Sequence, residues 1–382
     1  MNRPFVGSLF RHFPLDTVSR LPDIWKPFHG GYLASTIYDI AREAKVGIGT
    51  VSRVFNNHPS VSEETRKRVR SVAARLNYQP HPYARGLARK RTNAILAVVP
   101  FFTSFFFVEI LQGVQSKLGD LDCDLILYGV NHPDQVSESL RRNSIRGRVD
   151  GVLFFSMKMP DEFAEQYLNM KTPVVLVDTF HKSFDSLSVE NVQGAYTATR
   201  HLISLGHKRI GMLNANLESV PARERLQGFQ KALRESQLTA APDLMKRSAS
   251  PTLDGFTRET GFSRMKEFLA MGPEMPPAIF VASDIQAVGA LGAINEAGLR
   301  CPEDIAIVGF DDIMLAESLG ITTMRQPMYE MGALAIEKLM QRMKEPDAPA
   351  YHTTFTPKLV IRKTCGSFGA VKPREILQGV ET

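Results

Sequence analysis

Residues 36–57 read TIYDIAREAKVGIGTVSRVFNN, and their spacing settles how the N-terminal part of the chain folds. Ile37, Ile40, Ala41 and Ala44 recur at i, i+3, i+4 and i+7, one face of a helix, and Thr36 with Asp39 has the spacing of a capping box. Lys45-Val46-Gly47 is too short for anything but a turn. A second helix from Ile48 would bury Val51, Val54 and Phe55 before Asn56-Asn57-His58-Pro59 stops it. Ser62, followed by Glu63 and Glu64, is a good start for a third helix that carries Val69, Val72, Ala73 and Leu76 inward. Three short helices around one small core are predicted, the second presenting Ile48, Gly49, Thr50, Ser52, Arg53 and Asn56 outward. In a helix-turn-helix that second helix enters the DNA major groove, where the Arg53 guanidinium can grip guanine O6 and N7 together. Spacing alone also allows an ordinary helical hairpin with polar faces.

Charge points the same way. From Ser35 to Asn93 twelve Lys/Arg face four Asp/Glu, a net +8; residues 1–34 add +2, so the rest of a chain whose total is +6 carries −4. A basic end joined to a slightly acidic remainder suits a protein with one part on a polyanion, although a solvated helix face has the same charge. At 382 residues more than one core is needed. No apolar run approaches the length of a membrane span, and Arg3, Arg11, His12 and Asp16 interrupt any signal-peptide core, so a cytoplasmic protein without membrane contact is expected. Cys123, Cys301 and Cys365 are too scattered for a disulfide framework or a metal knuckle, and no cofactor is expected. Residues 1–34, with four prolines and no period, read as a disordered extension or the product of a start codon assigned too far upstream.

Beyond Asn93 short apolar runs alternate with helical stretches, the pattern of parallel sheets with crossover helices. AILAVVPF, CDLILYGV, DGVLFFS, PVVLVDT, RIGMLNA, PAIFVAS and IAIVGFD read as buried strands; helices are predicted near 106–121, 134–146, 161–170, 191–205, 223–235, 257–271, 284–297 and 330–344. That is too many strands for one Rossmann-type half, so two α/β lobes dividing near Asn191 are expected. Ligands of such sheets sit beyond the C-terminal strand ends, which draws attention to Asp178, Asp284, Asp311 and Asp312, with Arg225 opening a helix nearby. Carboxylates, a guanidinium and aromatics around a cleft suit a polyhydroxyl ligand, while each carboxylate taken singly reads more readily as a helix N-cap or a strand-end solvent residue.

The stretch from Thr36 to Ile95 closely resembles the DNA-binding region of the LacI/GalR family of bacterial transcriptional regulators, through its D-I-A-x-x-A, T-V-S-R-V, V-S-x-x-T-R and N-Y-x-P elements. The resemblance continues in NVQGAYTATRHLISLGHKRIGMLNA, RERLQGF, the segment from PAIFVASD to IVGFDD, and ITTMRQP, covering residues 35 to 363. It implies an all-α helix-turn-helix domain (35–79), a hinge (80–93), and a two-lobed α/β periplasmic-binding-protein-like (type I) effector domain. The N-terminal lobe would be 94–190 with 328–355, the C-terminal lobe 191–327 with 356–363, and 364–382 a tail. The function implied is a homodimeric repressor that binds double-stranded operator DNA and releases or grips it according to a small-molecule effector, with a sugar or sugar derivative as the candidate. By position, Thr36, Ile48, Gly49, Thr50, Ser52, Arg53, Asn56 and Tyr78 would contact DNA, and Leu87 would wedge into the minor groove. The effector contacts implied are Phe106, Phe107, Asp178, Arg225, Phe256, Ser283, Asp311 and Gln326. Gly47 replaces the family's usual Ser at the helix cap, Gly49 has no side chain with which to read a base, and Phe101 replaces a common Asp. No phosphate loop, nucleophile elbow or zinc-protease motif supports the alternative of a doubly wound enzyme, and a plain solute-binding protein would have no use for the basic helical module.

Overall fold

In the computed structural model, residues 35–78, 92–100, 104–119, 121, 123–130, 136–137, 149–248 and 255–366 are described. The chain divides into two compact units, Met1–Arg85 and Gly86–Thr382. Residues 1–34, Gln79, residues 80–91 of the predicted hinge with Leu87, Phe101, and most of the helix predicted at 134–146 lie outside the described residues.

The first unit is three helices, α1 (Ile37–Glu43), α2 (Ile48–Phe55) and α3 (Glu63–Arg75). Their apolar stripes meet in one core of Ile40, Ala41, Ala44, Val51, Val54, Val69, Val72 and Ala73, with Ile37, Phe55 and Leu76 partly buried around it. The caps are those the sequence announces. Asp39 reaches back so that its Oδ2 accepts from the Thr36 backbone N–H (2.9 Å) and hydroxyl (2.7 Å), and Ser62 Oγ accepts from the Thr65 N–H (3.4 Å). Lys45 takes the left-handed conformation (φ 53°) that lets the chain reverse between α1 and α2.

The second unit holds two parallel sheets. The larger is ordered β11-β5-β4-β3-β1-β2, from β1 (Ala94–Pro100), β2 (Asp124–Val130), β3 (Gly151–Phe155), β4 (Val174–Val177), β5 (Asp185–Val189) and β11 (His352–Phe355). The smaller, β7-β6-β8-β9, uses β6 (Ile210–Asn214), β7 (Met245–Arg247), β8 (Ala278–Val281) and β9 (Ala306–Val308). A third, antiparallel pair joins β10 (Thr323–Arg325) to β12 (Lys358–Val360). Parallel strands covered on both faces are apolar throughout, and β1, β3, β4, β6 and β8 are buried along their whole length. β2 departs from the expectation of burial. As the edge strand it leaves Ile126 and Leu127 more than 40% exposed.

Helices α4 (Phe105–Leu118), α5 (Asp161–Met170) and α11 (Met328–Lys344) belong with the larger sheet in sequence or packing. Helices α6 (Asn191–Ser204), α7 (Val220–Glu235), α8 (Arg258–Leu269) and α9 (Asp284–Glu296) flank the smaller one, and a short α10 (Met314–Leu319) follows β9. Neighbouring helices touch backbone to backbone at glycines. A Cβ on Gly113 of α4 would overlap the Tyr329 carbonyl of α11, and one on Gly332 would overlap the Ile110 carbonyl in return. Gly261 of α8 and Gly289 of α9 are related in the same way. The chain passes between the sheets three times, before α6, between β10 and α11, and between β11 and β12. Among the described residues no helix is long and apolar enough to cross a membrane, and no group of three His, Cys, Asp or Glu could hold a metal ion.

Candidate nucleic-acid interface and effector site

On α2 the inward face is Val51 and Val54, which leaves Ile48, Gly49 and Arg53 exposed and Thr50 and Ser52 half-buried at the rim. No side chain caps the N-terminus of α2, so the positive end of this helix is open to an anion. The Arg53 side chain has no hydrogen-bond partner or carboxylate among the described residues, and its guanidinium stands free to bind. Space around Gly47 and Gly49 is empty; a Cβ at either would meet nothing within 4 Å. Thr36 is exposed beside the start of α1. Two predicted contacts are placed differently from the outward reading. Asn56 is the C-terminal cap of α2, donates through Nδ2 to Ser52 Oγ (3.4 Å), and has its Oδ1 enclosed without a partner, because the helix ends there and the amide folds back. Tyr78 packs its ring against Phe55, centroids 5.7 Å apart, at the margin of the three-helix core.

Several of the predicted effector contacts gather around Arg225, which α7 carries into the interior, 3% exposed. Its Nε donates to Asn191 Oδ1 (2.9 Å), and its Nη1 donates to the Ala282 carbonyl and to Asp311 Oδ1 (3.3 Å). The Phe310 ring lies under the guanidinium, 3.8 Å from Cζ to centroid, and Phe256 stands 5.4 Å away. Gln326 Nε2 donates to the same Asp311 oxygen (2.6 Å), while its Oε1 is enclosed with no partner. Asp178, at the end of β4, accepts from Ser156 Oγ (2.7 Å) at the end of β3. Both acids sit in left-handed backbone, Asp178 at φ 56° and Asp311 at φ 120°, conformations that cluster where side chains are aimed at a ligand. Burial pushes the Asp178 carboxyl up to about 6 against the opposing pull of Ser156 and Arg225. Burial likewise pushes Asp311 up to about 7, with Arg225 and Gln326 pulling the other way. Asp178 belongs to the larger sheet and Asp311 follows the smaller one, so the cluster draws on both.

The other candidates are engaged in the core, in helix caps or in separate ion pairs. Phe107 is a core residue, edge-on to Phe155 at 6.4 Å, because the inward stripe of α4 runs Phe107, Ile110, Val114; Phe106, half-buried, leans on it at 5.1 Å. Ser283 caps α9, its Oγ accepting from the Gln286 N–H (3.4 Å) and donating to Gln286 Oε1 (3.1 Å), so the hydroxyl is already engaged. Asp284 is fully buried, accepting from Thr323 Oγ1 (2.7 Å) and from the Asp312 (2.6 Å) and Ile313 (3.2 Å) N–H groups. Burial, then the charge of Asp311, holds its carboxyl well above the usual range. Asp312 is neutralised separately by Arg325 and Arg362, each at 2.6 Å. Sequence reasoning missed Ser156, Asn191 and Phe310. Ser156 ends the DGVLFFS run, so the strand-end rule that found Asp178 applies to it as well.

Comparison with known proteins agrees with this fold. Residues 36–81 match the model for bacterial regulatory proteins of the lacI family, and residues 199–365 match a periplasmic binding protein-like domain. The chain is similar to catabolite control protein A of Priestia megaterium, 32% identical over 81% of this chain and 93% of that one. It is similar to the ribose operon repressor of Haemophilus influenzae, 33% identical over 86% and 98%. Among solved structures it resembles the lac repressor dimer bound to operator and the anti-inducer ONPF, with TM-score 0.71 and 28% identity over 87% of this chain and 99% of that one. A three-helix reading head followed by two parallel-sheet lobes, matched along nearly the whole length of such relatives, makes this chain a member of the LacI family of bacterial transcriptional regulators.

Proposed function

We propose that this protein is a homodimeric, cytoplasmic repressor that acts by binding rather than catalysis, gripping a near-palindromic operator and letting a sugar or sugar-like effector control that grip. The observation that carries the effector half is the Arg225 cluster. Side chains from both sheets converge on one buried guanidinium and leave a buried amide oxygen of Gln326 unsatisfied. In this reading Asp178, Arg225, Asp311 and Gln326 contact the ligand, Phe256 and Phe106 offer apolar faces, and Phe107 and Ser283 support them from behind. Ile48, Gly49, Thr50, Ser52 and Arg53 face the operator bases, with Thr36, Asn56 and Tyr78 steadying the helix on the backbone. Leu87 takes the wedge role in a hinge spanning 80–93. Residues 35–79 form the reading head, 94–190 with 328–355 one lobe, and 191–327 with 356–363 the other. A ligand that fits one lobe arrangement better than another shifts operator affinity by that difference.

The test is selection of duplexes from a palindromic library by the full-length protein, followed by anisotropy titration with and without neutral sugars. One near-palindrome should dominate, at least one sugar should change its affinity, and Arg53→Ala should weaken the selected duplex by roughly 5- to 150-fold, corresponding to about 1–3 kcal/mol for a lost bidentate base contact. Indifference to sequence would end the operator reading.

A further inference from the structure

Among the described residues, the polar side-chain atoms left over at the Arg225 cluster are more acceptors than donors. Ser156 spends its hydrogen on Asp178 and offers only lone pairs. Gln326 gives its Nε2 to Asp311, which fixes the orientation of the amide and leaves Oε1 as an unpartnered acceptor on a residue 2% exposed. Asp178 and Asp311 add carboxylate oxygens. On the donor side stands Arg225, whose Nε and Nη1 are already bonded within the protein, so its second terminal nitrogen is what remains for a ligand.

Charge is as one-sided as hydrogen bonding. Asp178 and Asp311 are buried acids raised only to about 6 and about 7, so near neutral pH the first is largely and the second partly ionised, and among the described residues Arg225 is the cation that acts on both. Arg325 and Arg362 are paired with Asp312, and Glu224 adds another carboxylate, held by Asn191 Nδ2 at 2.9 Å. Bringing a phosphate or a further carboxylate into this interior sets like charges together where water does not screen them. A hydroxyl both donates to the free acceptors and accepts from Arg225, and an ammonium group supplies donors while reducing the excess of negative charge.

We propose that the effector site selects neutral or amine-bearing sugars and rejects phosphorylated and carboxylated ones. This rests on the sugar-effector reading given above and adds the sign of the ligand's charge.

The experiment is calorimetric titration of the full-length protein with matched sets built on ribose, glucose, galactose, mannose and fructose, each comprising the neutral sugar and its phosphate and, where they exist, its amino and uronate forms. At least one neutral or amino sugar should bind, with the phosphate and uronate of the same sugar weaker by roughly 30-fold or more, equivalent to about 2 kcal/mol. An anionic member that binds as tightly as its neutral parent overturns the charge rule and leaves the sugar reading standing. Failure of every set to bind overturns the sugar reading itself, and the charge rule with it. Asp178→Asn, which removes charge without changing shape, should narrow the gap between a sugar and its phosphate at least fivefold; an unchanged gap would remove charge as its cause.

Discussion

On α2 Ile48, Gly49 and Arg53, all assigned to DNA, stand at the surface, and Arg53 has no bonding partner among the described residues. Around Arg225 the assigned groups are buried and bonded to one another before any ligand arrives. A reading surface of the first kind separates function from folding, since a contact residue can be exchanged without disturbing the core beneath it. In the second kind the atoms that hold the lobes are the ones proposed to meet the ligand, so a change made there for specificity also changes stability.

The largest effect that could break this contrast belongs to Arg225→Ala. Removing one partner of a buried charge pair leaves the other unmatched, and the second unit should lose about 3–5 kcal/mol, seen as a drop in its unfolding midpoint while the three-helix unit unfolds as before. Near-native stability in that variant would mean the cluster is a surface-like site after all. A smaller effect comes from pH. Asp178 and Asp311 bind protons more tightly folded than unfolded, so their contribution to stability is full below the unfolded carboxylate value and is lost as pH rises through about 6 and 7. Asp39 behaves oppositely, because the Thr36 backbone N–H lowers its pKa and its contribution disappears only on strong acidification. Calorimetry at about pH 5 and about pH 7.5 should therefore show the second unit more stable at the lower pH and the first unit nearly indifferent. The smallest change is Gly49→Ala. With empty space at the Cβ position and a place in the first turn of α2, alanine should stabilise the first unit by less than about 1 kcal/mol in chemical denaturation. Operator affinity should fall as the added methyl holds the helix off the bases, and an alanine variant that keeps full affinity would remove Gly49 from the reading surface.

Legibility followed the range of the contacts. The helices of the first unit bury residues three and four apart, so their stripes and caps could be read directly. β1, β3, β4, β6, β8 and β9 were legible because doubly covered parallel strands are continuously apolar. β5 was not, since DSLSV is half polar; Asp185 is matched by Arg342 at 2.6 and 3.0 Å and Ser186 by His352 at 2.8 Å, partners more than 150 residues away. CDLILYGV misled in the opposite direction, because composition does not tell an edge strand from a central one. At the candidate site, Asp178, Arg225 and Asp311 were singled out from strand ends and from the family resemblance. Asn191 and Phe310 escaped because nothing local marks them. Their partner Arg225 lies 34 residues from Asn191, and Asp284 looked like a ligand contact until Thr323 and two backbone N–H groups were seen to satisfy it.

The reciprocal glycines between α4 and α11, and between α8 and α9, have a mechanical consequence. Helices in backbone contact have no side-chain layer to compress or reshuffle, so neither member of such a pair can slide without clashing against its partner's backbone. Each pair is therefore expected to travel as one body, like two gears locked tooth to tooth, in any movement between the lobes that the proposed effector response requires.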